Sequence, residues 1–145
     1  MCGCVVTDVS VDAQLIVKPS NTTALVGSKV VLQCATSEPH DPPRITWYYI
    51  HPWGPTVIVY ACGVLPGYTS QYSVNNNETG RCDLVINETT LDMAGYYVCA
   101  RSRDNANVHL TVIGESLTCT QQFVSFHFIY CRVTSFLKTR SSSVV

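Results

Sequence analysis

Eight cysteines are the residues of this chain with the most chemistry open to them: Cys2, Cys4, Cys34, Cys62, Cys82, Cys99, Cys119 and Cys131. Thiols at this density hold a metal, exchange electrons or pair with one another. Zinc sites place their ligands at short fixed spacings, and no pair of C-x-x-C knuckles occurs here. Cys2-Gly3-Cys4 is a dithiol in form, but it stands outside the βαβ context of a redox motif. Disulfides remain, and with them an oxidising compartment. The four histidines, His40, His51, His109 and His127, are scattered without metal-ligand spacing. No nucleophile elbow, glycine-rich phosphate loop or H-E-x-x-H accompanies them. The expectation is a protein that is not an enzyme and takes no cofactor and no metal.

A second kind of chemistry is written in three Asn-x-Thr sequons, at Asn21, Asn77 and Asn87. Such triplets accept N-linked glycans in secreted chains and must then lie at the surface. They agree with the cysteines on an extracellular location, cell-surface or secreted. Net charge is −1 and the pI about 6.4, which gives no electrostatic footprint for nucleic acid. Residues 1–14, "MCGCVVTDVSVDAQ", have neither a basic start nor an apolar run of signal-peptide length. The apolar stretch "FVSFHFIYCRV" is about half of the roughly 20 residues that a membrane span needs. The chain therefore reads as an incomplete or atypically ended extracellular protein, reaching a membrane only through a missing or separate anchor. A cytosolic origin is the alternative.

The elements that must position these residues are short. In "SKVVLQCATS" (28–37), Val30, Leu32 and Cys34 alternate with Lys29, Val31 and Gln33, the period of a half-buried strand. "RITWYYI" (44–50) sets Ile45, Trp47 and Tyr49 against Thr46, Tyr48 and Ile50. "TVIVYA" (56–61), "SQYSV" (70–74), "CDLVINE" (82–88), "GYYVCAR" (95–101) and "NVHLTVI" (107–113) follow, each bounded by turn chemistry. A hydrophobic content of 46% supports a packed core, and nine or ten short strands without a helical period predict an antiparallel sandwich. The expected division is an irregular leader at 1–12, one domain at 13–114, and a tail of uncertain structure at 115–145.

Cys34, Trp47 and Cys99 fall on three of these strands, and "LDMAGYYVCA" (91–100) puts Tyr97 two residues before Cys99. With Leu84, Ile86, Asp92 and Gly95 they resemble the signature of the variable-type (V-set) immunoglobulin domain over about residues 13–113. The resemblance implies an all-β, immunoglobulin-like two-sheet sandwich with the extra C′ and C″ strands. It implies a Cys34–Cys99 disulfide against a buried Trp47, and a tyrosine corner in which the Tyr97 hydroxyl bonds back to the preceding turn. Gly95 would let the backbone enter that strand tightly.

Three departures from the family pattern bear on function. Met93 stands where the family has Asp, with Asp92 displaced by one, and Gln71 stands where it has Arg, so no Arg–carboxylate pair is expected to close that end. The Phe/Trp-Gly-x-Gly bulge of antigen receptors is missing, which favours a germline-encoded adhesion molecule or innate receptor. Cys62 and Cys82 are additional; they are expected to pair, with a tail cysteine as the alternative partner of either. The partners of Cys2, Cys4, Cys119 and Cys131 stay open, interchain bridges included.

In the V-set, the outer face of the G-F-C-C′ sheet pairs domains and contacts ligands. With Trp47 inward, Tyr48 and Ile50 point outward, joined by Val57 and Tyr60, by Val98 and Ala100, and by His109. The sequons, assigned to the opposite sheet or its edges, are expected to leave this face bare. The resemblance thus implies a protein-binding module for cell-surface adhesion or innate immune recognition, with a protein ligand that could be a second copy of itself as a homodimer. The alternative is a secreted effector or decoy that takes a foreign or carbohydrate ligand through the loops "EPHDPP" and "RSRDNAN".

Overall fold

The computed structural model describes residues 13–124 and 126–138, with side chains through Gly114. Twelve strands and a single 3₁₀ turn make up these residues. The first part of the described chain forms β1 (Leu15–Val17), β2 (Thr22–Leu25), β3 (Val30–Leu32) and β4 (Ala35–Thr36). The middle of the chain forms β5 (Thr46–His51), β6 (Gly54–Tyr60), β7 (Gly63–Val64), β8 (Tyr72–Asn75) and β9 (Asp83–Ile86). The 3₁₀ turn (Leu91–Met93) leads into β10 (Gly95–Arg101), β11 (Asp104–Val124) and β12 (Phe126–Lys138).

The strands build two layers. One layer runs β7-β6-β5-β10-β11, all antiparallel neighbours. The other holds β3-β9-β8, with the short pair β1-β4 carrying it on beyond Cys34. Alternation decides which side of each strand is buried. In β10, Gly95, Tyr97 and Cys99 are buried, whereas Tyr96, Val98 and Ala100 are not. Leu84 and Ile86 from β9 and Val108 and Leu110 from β11 join Trp47 and Tyr97 in a core of nearly zero exposure.

One pairing departs from the antiparallel rule. After β1 the chain turns at Pro19-Ser20-Asn21, crosses to the other layer and lays β2 parallel to β11, from Thr22 opposite Leu110 to Leu25 opposite Ile113. β11 also continues past Gly114 to Val124 and returns as β12, in a register that sets position 119 opposite 131. The partners of Cys2, Cys4, Cys119 and Cys131 lie outside the described residues and side chains.

Among the described residues, two disulfides cross-link the layers. Cys34–Cys99 spans 6.6 Å between Cα atoms, and Cys62–Cys82 spans 5.8 Å. Cys62 belongs to the two-residue turn joining β6 to β7, in which Ala61 and Cys62 both have positive φ, 46° and 59°. Matching hairpin turns normally place Asn or Gly at such positions, since a side chain in the left-handed region costs about 1 kcal/mol or more. The disulfide and a backbone bond from the Cys62 N–H to the Ile45 carbonyl (2.8 Å) hold this turn in place.

Candidate interaction face

The outward side of β11, β10, β5 and β6 follows from the register. Moving across these strands, His109 lies opposite Tyr96, Tyr96 opposite Ile50, and Ile50 opposite Pro55. The next row reads Asn107, Val98, Tyr48 and Val57. Ala100 lies in a third row, between Asn105 and Thr46. Tyr60 closes the corner beside β7 and is 67% exposed. Neither row contains an Asp, Glu, Lys or Arg.

All seven residues assigned to the face from the sequence lie on this one side. Tyr48, Ile50, Val57, Val98, Ala100 and His109 are half-buried by their neighbours, and Tyr60 stands proud. Tyr96 was missed, although the same alternation that turns Val98 outward turns it outward too. It is 45% exposed and meets His109 edge-on, with ring centroids 4.7 Å apart. Trp53 was also missed. It sits at the β5–β6 turn, 78% exposed, stacked on His51 at 4.5 Å.

Beneath the face lies the fixed frame. The indole N–H of Trp47 donates to the Cys82 carbonyl at 2.9 Å, which ties the central tryptophan to the second disulfide. The Tyr97 hydroxyl donates to the Met93 carbonyl at 2.8 Å, across the turn that precedes its strand. The immunoglobulin domain family matches residues 14–102. The chain belongs to this family. No curated protein matches the chain. An immunoglobulin domain is in general a protein-interaction module, typically non-enzymatic, and intrachain disulfides go with an extracellular or secreted protein. Among the described residues no helix is long and apolar enough to cross a membrane.

In this immunoglobulin domain the end where β10 begins is closed by tyrosines. Tyr49 donates to the Ala94 carbonyl at 2.8 Å, and the Tyr72 and Tyr97 hydroxyls are 3.3 Å apart. Burial pushes the Tyr97 phenol well above the usual tyrosine range and raises that of Tyr72, so both stay neutral donors. Gly95 is required here twice over. Its φ is +141°, and a Cβ would lie 2.9 Å from the Tyr49 hydroxyl. Gln71 is exposed, and Asp92 accepts from the Thr90 hydroxyl at 2.5 Å.

The opposite end is joined by ion pairs. Asp83, 1% exposed, accepts from the Cys34 N–H at 3.0 Å and pairs with Arg81 at 3.0 Å. Arg101 pairs with Glu38 and draws the loops on either side together. Sequence reasoning passed over both pairs, because isolated charges beside turns look like ordinary solvated surface.

The three sequon asparagines are exposed. Asn77 lies between β8 and β9, and Asn87 follows β9, on the layer away from the face. Asn21 corrects the expectation. Because β2 pairs with β11, Asn21 belongs to the same sheet as the face, and its Oδ1 accepts from the His109 N–H at 2.9 Å. The sequence pattern of β2 gave no sign of which layer it would join.

Proposed function

We propose that this V-type immunoglobulin domain is an extracellular adhesion or immune-recognition module. It binds protein through the outer face of β11, β10, β5 and β6, and its partner is a second copy of the same domain. The observation that carries this reading is the absence of formal charge from the two cross-strand rows, combined with exposed Tyr60. Interface cores favour aromatic residues and shed charge. A two-fold pair brings one surface against itself, so any charge near the axis meets its own like. A face without charges escapes that penalty.

Sedimentation equilibrium of the secreted, glycosylated full chain tests this over a wide concentration range. A dimer is expected, weakened at least tenfold by Tyr48→Glu, because an unpaired carboxylate would have to be buried. Tyr60→Ala should weaken it less without touching the core. A monomer at every concentration would sink self-recognition.

A second reading has one observation in its favour. The Arg101–Glu38 pair clips the loops "EPHDPP" and "RSRDNAN" side by side, as a secreted effector or decoy with a loop-bound foreign or carbohydrate ligand would need.

A further inference from the structure

Asn21, Tyr96, Asn107, Val108 and His109 line one open cleft of about 370 Å³ between the start of β2 and the outward side of β11. Three independent features meet there. Asn21 is the acceptor position of a sequon, Asn21-Thr22-Thr23. Tyr96 offers an exposed ring, braced edge-on by His109. The volume falls in the roughly 300–1,000 Å³ range of clefts that enclose small ligands.

We infer that an N-glycan on Asn21 folds back into this cleft and covers the Tyr96–His109 half of the face with sugar. Transfer of the oligosaccharide from a lipid-linked diphosphate donor forms the C1–Nδ2 bond, breaks the C1–O bond to the diphosphate and releases an amide proton. The Oδ1 atom keeps its lone pairs, so the bond from the His109 N–H survives and fixes the direction in which the glycan leaves. Because Asn21 lines the same cleft as Tyr96 and His109, the first sugar starts beside the aromatic pair. Pyranose C–H groups carry partial positive charge and suit the electron-rich face of a tyrosine ring. Such a contact is weak for free sugar. A short tether raises the effective concentration to the millimolar range, so a weak contact becomes populated without new bonds.

The inference rests on the extracellular reading for its compartment and sharpens the proposed interface. With the Tyr96 half under sugar, a protein partner is left the half built from Tyr48, Val57 and Tyr60.

Nuclear magnetic resonance of the secreted full chain tests it, with Thr23→Ala as the comparison. That variant destroys the sequon at an exposed position yet keeps Asn21 and its bond to His109. Tyr96 and His109 ring resonances should differ between glycosylated chain and variant, while Tyr60 stays unchanged. Trimming the glycans to their first sugar should leave the Tyr96 shift in place. In a Tyr96→Ala chain, the N-acetyl methyl signal of the Asn21 glycan should lose its ring-current shift. Identical Tyr96 resonances with and without the sequon would overturn the inference, as would mass spectrometry finding Asn21 bare in the secreted chain. The two proposals fail separately: a monomer with a shifted Tyr96 overturns only the dimer, and a dimer with an unshifted Tyr96 overturns only the glycan cleft.

Discussion

Where β5 begins and β10 ends, the sandwich is held by a disulfide and by formal charge; where β10 begins, it is held by neutral hydroxyls. At the first pole Cys62–Cys82 closes a loop across 20 positions, and Arg81–Asp83 and Arg101–Glu38 bind neighbouring segments. By chain entropy that disulfide contributes about 3 kcal/mol. At the second pole Tyr49, Tyr72 and Tyr97 reach the carbonyls of Met93 and Ala94 or each other. Both poles satisfy buried backbone groups, one with ionised side chains and one with groups that must stay protonated. Their sensitivities should therefore differ in kind: the first to loss of a buried acceptor, the second to alkali.

The largest expected effect is at the charged pole. Asp83→Ala removes the acceptor for the buried Cys34 N–H, while the Arg81 guanidinium is free to turn to solvent. An unsatisfied buried donor plus the small void should cost about 3 kcal/mol, read as a lower urea midpoint with an unchanged slope. At the other pole Tyr97→Phe deletes a single hydroxyl bond and should cost about 1–2 kcal/mol. If Tyr97→Phe proved as costly as Asp83→Ala, the contrast between the poles would collapse.

The smallest effect at neutral pH becomes the most telling one in base. Folding raises the Tyr72 and Tyr97 phenols, chiefly through desolvation, above the unfolded value near 10. The stability linked to them is thus fully present below about pH 10 and is lost as pH climbs beyond it, because the unfolded chain ionises first. Urea midpoints measured from pH 8 to 11 should fall steeply in the parent chain and less steeply in Tyr72→Phe. Parallel curves would show that the tyrosine pole does not govern alkaline unfolding.

Much of the frame could be read from the sequence because its signals are local. Alternation in 44–50 and 95–101 fixes which side of each strand faces inward, and Trp47 and Tyr97 are as buried as that pattern requires. What was missed depends on long-range pairing. Nothing within "NTTAL" says that β2 leaves the layer of β1, so the position of Asn21 beside His109 emerges only when β2 meets β11. The Ala61-Cys62 turn hides for a different reason. It uses left-handed backbone without Gly or Asn, and the constraint that secures it comes from Cys82, far along the chain. Asp83 looks like a surface charge until Cys34 and Arg81 are placed around it.

The parallel pairing of β2 with β11 also sets how the domain carries a mechanical load. Tension applied between the N-terminal side of β2 and the far end of β11 pulls the two strands in opposite directions along their shared axis. The pairs from Thr22–Leu110 to Leu25–Ile113 are then loaded in shear, all at once, instead of opening one by one from an end. Loaded in that direction, the four pairs would hold until the whole patch gave way together.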